Sequence, residues 1–306
     1  MPAVLESIQN RARSLRRRIV LPEVNEPRTS RARRTLEEEG LADVVWVEDP
    51  TVDPRFDQVV EHLHGRRRAP GLDRDDAVEL ATRPLFFAAS LVALGEADGT
   101  VAGAMSTTAE VIRAGLYCVG SASGIDLVSS MFLMVRDNTV YSYADCAVVP
   151  DPTPQQLAVI AETTARNHLL LTGSNPRVAF LSYSTKGSAE HDHIDKVRQG
   201  LQLFHASCPE IVADGELQFD AAIDPKIADR KAPGSSLEGD ANVLVFPDLD
   251  AGNLAYKISQ RLGGFMAFGP ILQGLTKPCL DLSRGCTTDD IVQVAAIAAV
   301  MSEPAT

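Results

Sequence analysis

The chain of 306 residues has little positive charge and few aromatic side chains. Asp and Glu together number 41 against 29 Lys and Arg, which gives a formal net charge of −12, and aromatic residues make up 5%. General nucleic-acid binding depends on a basic face, so this composition excludes nucleic acid as the main partner. A local basic cluster would still be able to hold a phosphorylated small molecule.

Cysteines and long apolar runs are also scarce. The five cysteines include no CxxC pair, and we therefore expect reduced thiols in a cytoplasmic protein instead of a disulfide framework. The first residues, MPAVLESIQNRARSLRRR, contain no apolar core of the length that a signal peptide needs. No run approaches the roughly 20 apolar residues of a membrane span, so no membrane partner is expected.

Several short catalytic and cofactor signatures are missing. The chain has no GxxxxGK[ST] phosphate loop, no GxGxxG dinucleotide fingerprint and no local Ser-His-Asp signature. His191 and His193 form an HxH pair without the further ligands of a metal site, so no metal is predicted. Cys146 and Cys286 could act as nucleophiles, but free cysteines are more often small buried hydrophobic residues.

The patterns that are present indicate a large α/β protein. A hydrophobic content of 45% over 306 residues allows a sizeable core and favours two domains over one. Strand patterns such as 42–49 and 241–248 alternate with helical patterns such as 287–303, and 129–149 has the pattern of a hairpin. Strands separated by helices predict an α/β fold with mainly parallel sheets.

The segment DLSRGCTTDDI (281–291) joins an arginine-containing turn to the start of the last helix. Thr287 and Asp290 fit a capping box, and acids in a first turn suit the helix dipole. The same geometry can form an anion site, because the N–H groups of a helix start would lie beside Arg284. Ser283 could donate a hydrogen bond to a developing oxyanion. Both interpretations stay open from this segment alone.

Three other segments have both a functional and an ordinary interpretation. LSYSTKGS (181–188) suits phosphate held by hydroxyls and amides, or is a simple strand-to-helix loop. VAGAMSTTAEVIR (101–113) places three hydroxyls and Arg113 around a helix start, or is a tight turn with a Ser or Thr cap. In 231–253 a ligand or partner could meet the backbone at Gly252, or turn chemistry explains the pattern.

Eight ordered segments resemble the phosphate acetyltransferase (phosphotransacetylase) family, which includes the phosphate butyryltransferases. They extend over nearly the whole chain, and the C-terminal half is the most similar. The segments are IVLPE, ADGTVAGAMSTTAEVIR, YADCAVVPDPTPQQLA, RVAFLSYSTKGSA, DGELQFDAAI, KAPGSSLEGDANVLVFPDLDAGNLAYK, GPILQGLTKP and DLSRGCTTDDI.

The resemblance implies reversible acyl transfer, in which acetyl phosphate and coenzyme A give acetyl-CoA and phosphate. It implies direct attack of the CoA thiolate in a ternary complex, with CoA as a substrate and no cofactor required for the chemistry. It also implies two α/β domains of isocitrate/isopropylmalate dehydrogenase-like architecture, with the active-site cleft between them, and a homodimer. The first domain would comprise 1–126 plus 270–306, and the second 127–269.

The resemblance also implies roles for individual residues. Asp290 matches the family's proposed base for the CoA thiol, and Ser283 matches the serine thought to stabilise the tetrahedral intermediate. Arg284 and Arg113 match arginines that hold the acyl phosphate or phosphate. In relatives, proline often occupies the position of Ala114.

A smaller group of residues completes the predicted substrate-binding set. Arg67, within the run 66–68, aligns with a further family arginine, although RRRAPG stands where relatives often have Lys-His-Lys-Gly. Ser184, Thr185 and Thr107 are the hydroxyl-bearing members of this set.

Two alternative functions stay open. A phosphate butyryl- or propionyltransferase would share these motifs, because the residues that select the acyl chain cannot be identified from the sequence. The same domain also occurs fused to malic enzymes as a non-catalytic acetyl-CoA-sensing module. The intact set of Ser283, Arg284 and Asp290 favours catalysis.

Overall fold

The computed structural model describes residues 1–66 and 73–303. Their contacts divide the chain into two units. Unit 1 contains Met1 and the described residues of 5–126 and 274–306, and unit 2 contains Pro2–Val4 and Leu127–Gln273.

Strands and helices alternate along most of the described residues. The strands are β1 (Arg18–Val20), β2 (Asp43–Val45), β3 (Gly99–Ala102), β4 (Ser129–Arg136), β5 (Thr139–Ala144), β6 (Arg177–Leu181), β7 (Val212–Leu217), β8 (Val243–Val245), β9 (Met266–Gln273) and β10 (Cys279–Asp281). The helices are α1 (Ala3–Leu15), α2 (Pro27–Glu38), α3 (Phe56–Gly65), α4 (Arg74–Ala81), α5 (Pro84–Leu94), α6 (Thr108–Cys118), α7 (Pro154–Thr172), α8 (Asp192–Ser207), α9 (Phe219–Ile223), α10 (Pro225–Lys231), α11 (Leu249–Arg261) and α12 (Thr288–Met301). A short 3₁₀ helix covers Pro50–Val52.

Unit 1 is built on a four-stranded sheet in the order β10-β3-β1-β2, in which every described pairing is parallel. All four residues of β3 are buried. Helices α5 and α12 carry apolar residues around most of their circumference and bury seven and nine residues, respectively, as such helices do in a protein core. The last strand, β10, pairs with β3, although the two strands lie far apart in the sequence.

Unit 2 is built on a six-stranded mixed sheet in the order β7-β6-β8-β5-β4-β9. The predicted hairpin at 129–149 is confirmed, because β4 and β5 pair antiparallel around Asp137, whose φ is 54°. Strand β9 also pairs antiparallel with β4, whereas β5-β8, β8-β6 and β6-β7 are parallel. The prediction of an α/β fold with mainly parallel sheets is confirmed.

The C-terminal limit of the second sheet differs from the predicted boundary. The sequence prediction assigned residues 270–273 to the first domain, but β9 continues through them to Gln273 and pairs with β4 of unit 2. The reason is that Gln273 pairs with Ser129, a contact between residues distant in sequence that no local pattern announces.

No single described helix is long and apolar enough to cross a membrane. Helices α4 and α5 reach the required length and apolar composition only when taken together, and the pair is bent by 100°.

Helix α11 lies unusually close to the end of β5. A Cβ added at Gly252 would lie 2.1 Å from the backbone oxygen of Asp145 and 3.2 Å from the sulfur of Cys146. The close approach considered for a ligand or partner at Gly252 is therefore made by the chain's own backbone.

Gly252→Ala should lower the free energy of unfolding by about 2 kcal/mol or more, because a clash with a backbone oxygen cannot be relieved by a change of rotamer. Urea unfolding of the purified variant measures this. Gly65→Ala is the matched control, since its added Cβ would meet nothing within 4 Å, and it should cause no loss of stability. An unchanged urea midpoint for Gly252→Ala would contradict the packing described for α11.

Candidate active site

Two loops leave the parallel sheet of unit 1 at the same edge. Strands β3 and β10 are parallel neighbours, with Ala102 opposite Asp281. The loop after β3 leads into α6, and the loop after β10 leads into α12. The sheet therefore brings together the segments 101–113 and 281–291, which the sequence singled out separately.

Helix α12 begins with the predicted capping box. The N–H of Thr287 donates to Oδ2 of Asp290 at 2.8 Å, and the N–H of Asp290 donates to the Thr287 hydroxyl at 3.1 Å. Asp290 is half-buried, and its Oδ1 has no hydrogen-bond partner among residues 1–66 and 73–303. One carboxylate oxygen thus fixes the side chain while the other stays available as an acceptor.

Helix α6 begins in the same way, with Thr107 as its N-cap. The Thr107 hydroxyl donates to Oε2 of Glu110 at 2.9 Å and accepts from the N–H of Glu110 at 3.3 Å. The hydrogen bonds from the backbone N–H and hydroxyl of Thr107 lower the pKa of the Glu110 carboxyl. The Thr107 hydroxyl, predicted to contact substrate, is therefore engaged in the helix cap.

Arg113 lies one turn further along α6, and its side chain is exposed. It lines an open groove of ≈ 470 Å³ whose other lining residues are Ala109, Ile112, Leu116 and Tyr117. Arg113 is the charged member of this lining, so the groove combines an apolar surface with one cation.

Ser283 and Arg284 form the turn between β10 and α12, and both side chains are exposed. The carbonyl of Ser283 accepts from the N–H of Cys286 at 2.9 Å, which closes the turn. The Ser283 hydroxyl oxygen accepts from the N–H of Gly285 at 3.3 Å, so its own proton remains available for donation. The turn therefore presents a hydroxyl and a guanidinium at the entrance of α12.

Arg28, which the sequence analysis did not identify, joins the two loops. Its Nε and one terminal nitrogen donate to the Glu26 carboxylate at 2.8 and 3.0 Å. Its remaining donors reach the carbonyls of Arg284 at 2.9 Å, Cys286 at 2.7 Å and Ala104 at 3.0 Å. The available signal was weak, because Arg28 is one of four arginines in the helical segment 27–40.

Glu23, also not identified beforehand, binds the loop after β3. Its Oε2 accepts from the N–H groups of Gly103 at 3.1 Å and Ala104 at 2.8 Å. Its Oε1 accepts from those of Met105 at 3.0 Å and Ser106 at 2.8 Å. Glu23 ends the segment IVLPE, which contributed to the family resemblance without a role being assigned to this residue.

Asp281 is a fully buried carboxyl at the end of β10. The Thr108 hydroxyl donates to its Oδ2 at 2.5 Å, and its Oδ1 has no partner in the described part of the chain. Gly103 makes room for it, because a Cβ there would lie 2.3 Å from Oδ1. Burial raises the pKa of Asp281 to about 7, and the charge of Glu23 acts in the same direction.

The predicted substrate-binding residues Ser184 and Thr185 lie in unit 2, and both are buried. The Ser184 hydroxyl donates to Oε1 of Glu216 at 2.8 Å, and the Thr185 hydroxyl accepts from the N–H of Gln218 at 2.9 Å. Burial acts to raise the pKa of Glu216, but hydrogen bonds from Arg198 and from this loop lower it to about 2. The loop 181–188 thus surrounds a carboxylate of the protein itself.

The remaining predictions concern cysteines, metals and Arg67. All five cysteines are free and buried. Burial raises the pKa of Cys286 to about 11 and that of Cys146 well above its usual value, so neither thiol is a ready nucleophile. Among the described residues, no group of three His, Cys, Asp or Glu side chains could hold a metal ion. Arg67 lies outside the described residues.

Comparisons with known proteins agree on one family. A family model described as "Phosphate acetyl/butaryl transferase" matches residues 3–299. A phosphate acetyltransferase of Paracoccus denitrificans is 44% identical over 317 aligned positions, covering 98% of this chain and 99% of that protein. One from Acetivibrio thermocellus is 42% identical over 325 positions, covering 98% of each. The solved EutD phosphotransacetylase from Staphylococcus aureus is 36% identical with a TM-score of 0.91, covering 98% of each chain.

Asp281→Asn should gain stability relative to the wild type as pH rises from about 4 to about 7. The folded protein keeps the Asp281 proton up to a pKa of about 7, whereas the unfolded chain loses it near 3.8. The wild type therefore loses stability across this window, by at least about 1 kcal/mol, and asparagine does not titrate.

Urea unfolding at pH 4, 5.5, 7 and 8.5 measures the difference. Asp289→Asn, at an exposed position in the first turn of α12, is the control and should follow the wild type. If the curves for Asp281→Asn and the wild type run parallel over the whole range, the buried carboxyl is not protonated in the folded protein.

Proposed function

The chain is a transferase that belongs to the phosphate acetyl/butaryl transferase family, and we propose that it moves an acetyl group between acetyl phosphate and coenzyme A by direct attack of the CoA thiolate in a ternary complex. The observation that carries the mechanism is the meeting of the loops after β3 and β10 at one edge of the sheet. These loops lead to Arg113 on one side, and to Ser283, Arg284 and Asp290 on the other.

Asp290 is the base in this proposal. Its Oδ1, which has no described partner, takes the proton of the CoA thiol while its Oδ2 remains bound to the N–H of Thr287. The thiolate sulfur then attacks the acetyl carbonyl carbon. A C–S bond forms, the bond between the carbonyl carbon and the phosphate oxygen breaks, and phosphate leaves with the bonding electrons. Because a thiol has an unperturbed pKa of about 8.5, stabilisation of the thiolate by nearby cations would assist this transfer.

Ser283 and the arginines stabilise the developing negative charge. The Ser283 hydroxyl proton, which its contact with Gly285 does not use, is donated to the carbonyl oxygen as that oxygen becomes an oxyanion. The exposed guanidinium groups of Arg284 and Arg113 pair with the phosphate oxygens, a planar bidentate geometry that lysine does not offer. Holding both substrates in reacting geometry supplies a further part of the acceleration.

The remaining predicted binding residues have weaker structural support. Thr107, Ser184 and Thr185 already use their hydroxyls in internal hydrogen bonds, so their proposed contact with substrate depends on the family resemblance alone. The same resemblance is the basis for Arg67. We assign none of these four residues to the bond-making step. We propose that this step proceeds without an additional cofactor.

We also propose that the enzyme is a cytoplasmic homodimer. The absence of disulfides among its five cysteines fits a reducing compartment. Leu254 and Ile258 of α11, and Leu262 directly after its end, follow one another at a spacing of four residues and are 59%, 56% and 85% exposed. An apolar stripe of this kind is typical of a surface that is covered in an assembly.

The activity is tested by following acetyl-CoA formation with purified protein, CoA and a series of acyl phosphates. We expect turnover with a higher kcat/KM for acetyl phosphate than for propionyl or butyryl phosphate. A preference for butyryl phosphate would instead assign the chain to the longer-chain transferases of the family. Binding of acetyl-CoA without any turnover would support the sensing module and remove the proposed function.

Asp290→Asn should reduce kcat by about 100-fold or more with little change in KM, because a general base contributes on this scale. The amide oxygen of asparagine can still accept from the N–H of Thr287, so the helix cap is retained while the base is lost. Asp289→Asn removes the neighbouring acid of the same turn and serves as the matched control, with nearly normal kcat expected.

Steady-state kinetics on the three proteins decides the role of Asp290. A kcat for Asp290→Asn close to that of the wild type excludes this residue as the base. Equal losses in Asp290→Asn and Asp289→Asn would show that the charge of the helix start matters and not one proton acceptor.

A further inference from the structure

Four consecutive backbone N–H groups of the loop after β3 converge on the carboxylate of Glu23. Each oxygen of this carboxylate accepts two of them, at distances between 2.8 and 3.1 Å. Glu23 is only 9% exposed. An ionised carboxylate is purely an acceptor, so it suits a site formed entirely of donors.

The loop 103–106 is therefore an anion-binding nest that the protein occupies itself. Successive N–H groups in a turn form a concave site for negative charge. The start of α6 does not require Glu23, because Thr107 and Glu110 already form its capping box. The segment 101–113 had suggested a bound anion, and the structure places an internal anion at 103–106.

The nest determines the position of groups on both sides of the candidate active site. It is followed directly by Thr107 and by the helix that carries Arg113. Within the nest, the carbonyl of Ala104 accepts from Arg28, which also holds the carbonyls of Arg284 and Cys286. A change in the loop would therefore be transmitted both to α6 and to the turn before α12.

We infer that Glu23 is a positioning residue, whose carboxylate fills the nest of 103–106 and so fixes this loop. The fixed loop in turn orients Arg113 and holds the Ala104 carbonyl in place for Arg28. The effect on catalysis rests on the proposed function, whereas the anion site itself does not. The carboxylate is required for its charge and its acceptors. In Glu23→Gln the side-chain amide would point donors at two of the four N–H groups.

Chemical rescue with formate tests this inference. Glu23→Ala leaves the four donors facing an empty space of carboxylate size, which formate can occupy. We expect Glu23→Ala to lose about 10-fold or more in kcat/KM for acetyl phosphate, since small displacements of positioned groups have effects of this size. Formate should restore the activity with saturation and raise the melting temperature of this variant. Chloride at equal ionic strength should do neither.

Two further variants separate the nest from general effects. Glu23→Gln should lose activity and not respond to formate, because its side chain fills the space. Glu79→Ala removes an exposed carboxylate of α4 and should match the wild type in both salts. If Glu23→Ala folds only in formate, that result supports the nest. If it folds in neither salt, the kcat/KM of Glu23→Gln decides the inference.

Wild-type activity in either Glu23→Ala or Glu23→Gln would overturn the inference. It would also be overturned if Glu23→Ala folds, is defective, and shows no change in activity or melting temperature when formate is added. A melting temperature that rises in formate without recovery of kcat/KM would show an anion site that stabilises the fold but positions no active-site group. If the wild-type chain forms no acetyl-CoA, the proposed function fails, and the melting temperatures still test the anion site.

Discussion

The guanidinium of Arg28 is the interaction on which the candidate active site depends. It donates to the Glu26 carboxylate and to the carbonyls of Ala104, Arg284 and Cys286, and so connects the loop after β3 with the turn after β10. These contacts use all five N–H donors of the side chain. A lysine has three donors and no planar fork, and could not hold the same set of carbonyls in one plane. Arg28 thus binds groups of the protein itself, whereas Arg284 and Arg113 are exposed.

Two carboxylates of the protein likewise bind loops of the chain through internal hydrogen bonds. Glu23 fills the amides of 103–106, and in unit 2 Glu216 accepts from Ser184, Gly187 and Arg198. Both loops have the composition of phosphate-binding segments, yet each surrounds an anion of the chain. Such loops are rigid because their donors are satisfied before any substrate binds. Asp281 is the contrasting case, a buried carboxyl that burial keeps protonated up to a pKa of about 7.

Local chemistry made part of this structure predictable from the sequence. The capping box at Thr287, the Ser or Thr cap before α6 and the hairpin turn at Asp137 each depend on residues within a few positions of one another, and all three are found. The alternation of strands and helices likewise predicted the α/β class. The candidate site residues Ser283, Arg284 and Asp290 were proposed through the family resemblance, because their segment by itself is explained equally by a helix cap.

Long-range contacts made the rest unpredictable. Glu23 lies about 80 residues from the amides it binds, and Arg28 lies 256 residues from the Arg284 carbonyl. Nothing in the local pattern separates Arg28 from the other arginines of α2. The end of the second sheet at Gln273 was missed for the same reason, since it is set by the pairing of β9 with β4.

The central claim is that the entrance of α12, joined by Arg28 to the loop before α6, is where thiol and acyl phosphate react. A crystal structure with CoA and phosphate bound tests it most directly. The account predicts phosphate oxygens within hydrogen-bond distance, about 3 Å, of the Arg284 and Arg113 guanidinium groups, with the CoA sulfur close to Oδ1 of Asp290. Ligands bound away from these residues, or a sulfur out of reach of Asp290, would contradict it.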